Sequence, residues 1–157
     1  LTQPILTHAE EESYAMPFAN PEREQIKSLL EAHTTVAVVG LSDKPDRTSH
    51  AVSQAMQQRG YRIIPVNPAV QGDILGERCY PDLASVPEPI GIVNVFRRSE
   101  FTPDIAREAV AAGAKVLWLQ LGVYSEEAAE IARQGGLDVV MDRCIKVEDS
   151  ILQPRIR

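Results

Sequence analysis

Apolar and polar stretches alternate along this chain with a regular rhythm. Thr35 to Val39 is a short β-branched apolar run, the pattern of a strand buried on both faces. Gly40 ends it and a polar loop of Ser, Asp, Lys, Pro and Arg follows. Ala51, Val52, Ala55 and Met56 then recur at helical spacing, and Gly60 stops that helix where a left-handed residue is tolerated. Tyr61 to Val66 predicts a second strand, Ile92 to Phe96 a third, Lys115 to Leu121 a fourth and Leu137 to Met141 a fifth. Pro65 has no N–H, so the second strand is expected not to pair regularly through that point. The intervening helices carry inward faces of Ile105, Ala106, Ala109 and Val110, and of Ala128, Ala129 and Ala132. A final helix is expected from Cys144, with Ile145, Val147, Ile151 and Leu152 as its apolar positions. A leading helix is expected from Asn20-Pro21-Glu22, which reads as cap, proline and first-turn acid, with Ile26, Leu29 and Leu30 inward. Residues 69 to 89 form a long Gly- and Pro-rich connection, with a short strand at Glu77 to Tyr80 and a helical turn at Asp82 to Ser85.

Five strands alternating with helices imply an α/β fold, a Rossmann-like three-layer sandwich with a five-stranded parallel sheet covered on both faces. The expected strand order is 3-2-1-4-5. Residues 1–19 read as an N-terminal arm, with Met16, Pro17 and Phe18 docked, and 20–157 as one domain. The length of 157 residues suits one domain with a real core. A net charge of -6 argues against nonspecific nucleic-acid binding, so a polyanionic ligand needs a local basic cluster. No apolar run approaches the roughly 20 residues of a membrane span, and no secretion signal is visible. Two cysteines, Cys79 and Cys144, do not make a disulfide framework, which points to a reduced, cytosolic protein.

In an open parallel sheet, ligands bind beyond the carboxyl ends of the strands. A strand–glycine turn–helix unit there points backbone N–H groups and a positive helix end at one spot, which suits a phosphate. Of the dinucleotide fingerprint only Gly40 is present, because Ser42 and Pro45 stand where the other glycines would fall. The second strand ends in Asn67 rather than in the acid that holds the ribose of NAD. Both departures favour a ligand with phosphate near the adenosine ribose, met by Lys44 and Arg47 with Ser42 and Thr48 as hydroxyl donors. The competing reading is that Lys44 and Arg47 only solubilise a loop.

The segments VAVVGLSDKPDRTSHAV, GYRIIPVNP, GERCYPDLASVP, VNVFRRSE, WLQLGV and VVMDRCI, in this order, resemble the small stand-alone CoA-binding proteins of the YccU type. Those are similar to the CoA-binding domain of the succinyl-CoA synthetase alpha subunit. The resemblance runs from the helix at Asn20 to the final helix and implies coenzyme A, or an acyl-CoA, as the ligand. It implies that Gly40 and Ser42 form the turn under the phosphates and that Lys44 and Arg47 contact phosphate, including the 3′-phosphate of CoA. It places Asn67 and Pro68 at the adenosine side, Phe96 and Arg97 across the crevice, and Gln120 and Gly122 towards the pantetheine arm. Arg98 reads equally as a contact or as a solvated side chain. Thr48-Ser49 stands where Pro-Ser is frequent, which keeps a hydroxyl at the helix start.

Cys144 reads in two ways. It follows the fifth strand at a helix start between Arg143 and Lys146, a setting that favours a reactive thiol and a mixed disulfide with CoA. It reads as well as a small buried residue. Cys79 is expected to be structural. His8, His33 and His50 lack metal-ligand spacing, His50 is expected to be exposed, and Glu10-Glu11-Glu12 reads as a solvated acidic patch. Neither a ligase nor a dehydrogenase catalytic set is visible. The expected function is therefore a CoA-binding module, with a CoA or thiol redox protein using Cys144 and an NAD(P)-dependent oxidoreductase as the alternatives.

Overall fold

The computed structural model describes residues 17–156. In chain order the elements are α1 (Arg23–Ala32), β1 (Thr35–Val39), α2 (Thr48–Arg59), β2 (Arg62–Val66), β3 (Asp73–Ile74), β4 (Glu77–Arg78), β5 (Ile92–Val95), α3 (Thr102–Ala111), β6 (Val116–Leu119), α4 (Glu126–Gln134), β7 (Asp138–Val140) and α5 (Ile145–Leu152). Five strands form one parallel sheet in the order β2-β1-β5-β6-β7, and β3 and β4 make a separate antiparallel pair.

Strand alternation splits the core into two layers. On one face Val36, Val38, Ile63, Ile92, Trp118 and Val140 meet α1, α2 and α5. On the other, Val39, Val66, Val93, Leu117, Leu119 and Val139 meet the Ile105 and Ala106 face of α3 and the alanine face of α4. The alanines at 128, 129 and 132 are fully buried, so this short-chained face lets α4 lie close against the sheet and α3. Gly60 caps α2 in the left-handed region at φ 110°, as expected from its place.

The expected strand order is not the observed one. Counting only the five sheet strands, the order is 2-1-3-4-5, because β5 pairs with β1 instead of lying outside β2. The outer edge of β2 is already occupied by its own continuation. Tyr80 N–H donates to the Pro65 carbonyl at 3.0 Å, and Asn67 N–H donates to the Tyr80 carbonyl at 2.9 Å. The expected break at Pro65 is absent for the same reason. The ladder with β1 runs through Val38–Pro65 to Val39–Val66. Alternation directs the backbone groups of Arg62 and Val66 at β1, so Pro65 lacks an N–H only on the edge side, where a proline is tolerated. A further strand outside β2 would need that N–H.

Three local expectations are also corrected. Asn20 does not cap α1, whose N-cap is Glu22. Its side-chain amide instead donates to the Met141 carbonyl and accepts from Met141 N–H, both at 2.8 Å, and so extends the β7 edge. In α2 the buried residues are Ser49, His50, Val52, Ser53 and Met56, while Ala51 is exposed, so the helix is rotated from the phase its alanines suggest. In α5, Val147 and Ile151 are exposed and Glu148 and Asp149 are buried. Burial there is stabilised by charge: Asp149 accepts from Arg59 and Tyr61, and Glu148 lies between Arg23 and Arg143. Of the expected arm, Phe18 packs edge-on to the Tyr124 ring, with the Arg133 guanidinium 5.5 Å from its own ring centroid. Met16, His8 and the Glu10-Glu11-Glu12 run lie outside the described residues. No helix among those described is long and apolar enough to cross a membrane.

Candidate functional site

The strand order decides where the crevice opens. The chain leaves β1 through α2 to β2 on one side and returns through the long connection to β5 on the other. Crossovers on either side of β1 diverge above the carboxyl ends of β1 and β5, the position at which open α/β sheets bind ligands. A cleft of about 430 Å³ lies there, lined by Gly40, Ser42, Lys44, Arg47, Thr48, Ser49 and Phe96.

Each wall of the cleft has a local cause. Gly40 adopts φ 86° and donates its N–H to the Val66 carbonyl at 2.8 Å, which turns the chain sharply away from β1. Any β-carbon at this position would overlap the Phe96 carbonyl oxygen, so the floor of the cleft requires glycine twice over. Leu41 is buried and anchors the loop, and Ser42 N–H donates to Ser49 Oγ at 3.0 Å, tying the loop to the first turn of α2. Ser42 Oγ accepts from Lys44 N–H at 3.1 Å, which holds the next turn. Arg47 occupies the N-cap of α2 without a side-chain capping bond, and His50 N–H already donates to its carbonyl, so the donors left at the mouth of this twelve-residue helix are those of Thr48 and Ser49. Lys44, Arg47 and Thr48 are exposed around that mouth. Fixed N–H donors, hydroxyls and two exposed cations therefore converge on one concave surface, which is the chemistry of an anion site.

The other predicted residues lie at different distances from this cleft. Asn67 is spent on structure: its Nδ2 donates to the Leu41 carbonyl at 3.0 Å and its Oδ1 accepts from Ala69 N–H at 2.9 Å. Pro68 and Arg97 line a smaller cleft of about 170 Å³ on the opposite face of the sheet, with Val39, Val66 and Leu83. The Arg97 stem joins the two clefts, since its Cδ stands 3.2 Å from where a β-carbon on Gly40 would be. Gln120 is buried and accepts from Ile145 N–H at 2.9 Å, so it holds the start of α5 rather than lining the cleft. Gly122 donates to Asp142 at 2.7 Å in the loop after β6. Arg98 is exposed and faces Glu100. Ser49, absent from the expected binding set, lines the cleft and bonds Ser42. Its signal was the hydroxyl pair at the helix start.

His50 is buried, 8% exposed, and not solvated as expected, because α2 turns its second and third residues inward. Its Nδ1, together with Ser53 Oγ and Asn94 Oδ1, finds no partner among the described residues. Among those residues no group of three or more His, Cys, Asp or Glu side chains could hold a metal ion. Cys144 is the half-buried N-cap of α5 and does not line the cleft. Cys79 is buried, burial pushes its thiol pKa up, and its Sγ lies 3.6 Å from the Asn67 carbonyl. Iodoacetamide on the native protein is therefore expected to label Cys144 first and Cys79 only slowly. Peptide mapping by mass spectrometry reads the order, and prior labelling of Cys79 would contradict this packing.

A family model described as a CoA binding domain matches residues 34–150. YneT of Bacillus subtilis (strain 168) is 48% identical over 132 residues, covering 84% of this chain and 97% of YneT. A protein from Pyrococcus horikoshii OT3 of solved structure superposes with a TM-score of 0.82 at 34% identity, over 85% of this chain and 93% of that one. The ADP-forming acetate–CoA ligase I of Archaeoglobus fulgidus is 22% identical over 120 residues, which are 70% of this chain and 17% of the ligase. With the family model spanning β1 to α5, the chain belongs to the CoA binding domain family.

Proposed function

We propose that this protein binds coenzyme A at the carboxyl edge of the sheet, as a binding module without a catalytic set of its own. The observation that carries the reading is the cleft at the β1–β5 switch point, where the Gly40 turn, the mouth of α2, Lys44 and Arg47 converge. The phosphates rest on the turn from Gly40 to Ser49, with Lys44 and Arg47 closing on them. The adenosine lies towards Pro68, and the pantetheine arm leaves past Phe96 towards the loop after β6. The family match and the ligase relative support this choice of ligand. Asn67 supports it as well: a neutral amide, already bonded to the loop through Nδ2 and Oδ1, stands where an acid would accept from an NAD ribose.

Isothermal titration with CoA, dephospho-CoA, NAD and NADP tests the reading. CoA is expected to bind, dephospho-CoA more weakly because it lacks the 3′-phosphate, and NAD not measurably. Replacing Lys44 and Arg47 together by Ala should weaken CoA at least about tenfold, since each charge-assisted contact is worth more than a kilocalorie. The same variant should lose less affinity for dephospho-CoA. Binding of NAD or NADP without binding of CoA would sink the proposal.

A further inference from the structure

Among the described residues, the exposed large apolar side chains are Phe101, Leu121, Tyr124, Val147 and Ile151. The first three sit in the loops that follow β5 and β6, on the same sheet edge as the cleft. The two loops are bound together, because Tyr124 N–H donates to Ser99 Oγ at 2.9 Å. Leu121 stands at the tip of a tight turn closed by Val123 N–H to the Gln120 carbonyl at 2.8 Å. The turn is pinned again by Gly122 N–H to Asp142 at 2.7 Å. A leucine 69% exposed on a turn fixed from both sides gains nothing from the folded chain alone.

The strip is continuous with the cleft. Arg97 crosses the Gly40 turn with its stem and sets its guanidinium 4.8 Å over the Phe101 ring. β6 is two strands from β1, so its carboxyl end lies roughly 10 Å from the Gly40 turn along the sheet edge. The loop that carries Leu121 therefore lies within reach of the thiol end of a ligand whose phosphates rest on the Gly40 turn.

We infer that the ligand is an acyl-CoA whose apolar acyl group covers Leu121 and Phe101, with Leu121 setting the preference for chain length. This rests on the reading of the cleft as a CoA site. The test is isothermal titration of the full chain with CoA, acetyl-CoA, butyryl-CoA and octanoyl-CoA. Affinity is expected to rise with acyl length, octanoyl-CoA binding about tenfold or more tighter than CoA, the gain from burying as few as two methylenes. Leu121→Ser should lose most of that gain, the ratio of octanoyl-CoA to CoA affinity falling towards one whatever the variant's affinity for free CoA. CoA binding with no dependence on acyl length overturns this inference and leaves the CoA site standing. A length dependence that survives Leu121→Ser assigns the acyl group to another surface and overturns it as well. Failure of CoA and every thioester to bind overturns the proposed function first, and this inference with it.

Discussion

Gly40→Ala is expected to destabilise the protein by about 2–3 kcal/mol, the scale of a side chain forced into a left-handed conformation that a tight neighbour also opposes. Two effects act at one atom. The backbone at Gly40 has φ 86°, where an L residue is strained, and the new β-carbon would overlap the Phe96 carbonyl oxygen. That oxygen belongs to the backbone where β5 leaves the sheet, so a flexible side chain cannot swing aside to relieve the overlap. Relaxation must instead part the ends of β1 and β5, which are the two strands that bound the cleft. The loss should therefore appear twice, as a lower midpoint in urea unfolding and as a loss of ligand binding larger than the stability change explains. Leu30→Ala removes a buried apolar side chain of α1, away from the loop, and serves as the control. It should cost about 2–4 kcal/mol while retaining measurable binding. Gly40→Ala with unchanged stability would show that the turn can re-form, and would remove the steric account of the cleft floor.

Asp149→Ala is the second large effect, expected to cost about 2–3 kcal/mol, the upper part of the scale for a buried polar group left without its partner. Asp149 is buried near the end of α5 and accepts from Arg59 Nε at 2.8 Å and from the Tyr61 hydroxyl at 2.9 Å. Burial and the adjacent carboxylate hold the Tyr61 hydroxyl well above the ordinary phenol range, so it stays a donor. Arg59 reaches further, donating to the Pro154 carbonyl at 2.9 Å. One carboxylate thus fastens α5 to the end of α2 and to the start of β2. Removing it leaves a buried hydroxyl without an acceptor, while the half-exposed Arg59 can return to water. The asymmetry makes a cycle informative. Tyr61→Phe in the Asp149→Ala background should cost less than in the parent, with a coupling of about 1 kcal/mol or more in urea unfolding. Additive losses would mean that the Tyr61–Asp149 bond carries no net energy.

Much of the fold was legible from periodicity. The five strands, the helices between them and the glycine that ends α2 follow from apolar runs and left-handed stops, because both are local properties of the chain. The turn at Gly40 was legible for the same reason: a β-branched run, a glycine and a polar loop before a helix can do little else. The strand order was not, because it depends on which edge of β1 the third strand meets. That is settled by Tyr80 folding back onto β2 and by the side of the strand on which Pro65 lacks its N–H. The phase of α2 and α5 was misread where polar residues face inward. His50, Glu148 and Asp149 look like surface residues in any hydropathy pattern, and only packing against distant partners, Arg59 and Tyr61 for Asp149, makes their burial tolerable.

The candidate site divides along the same line. By itself the sequence determined the candidate anion-binding turn, since Gly40, Ser42, Lys44, Arg47 and Thr48 are neighbours along one loop and need no tertiary contact to be grouped; Ser49 joined them only in the structure. Only the tertiary structure decided what stands opposite. Phe96 lines the cleft, where the resemblance had set it, but Pro68 and Arg97 line a second cleft across the sheet. The tertiary structure gave Asn67 and Gln120 to loop and helix anchoring, and it set Leu121 and Phe101 on the same edge. These assignments depend on strand order and on where buried hydrogen bonds find their partners, both of which join residues far apart in the chain.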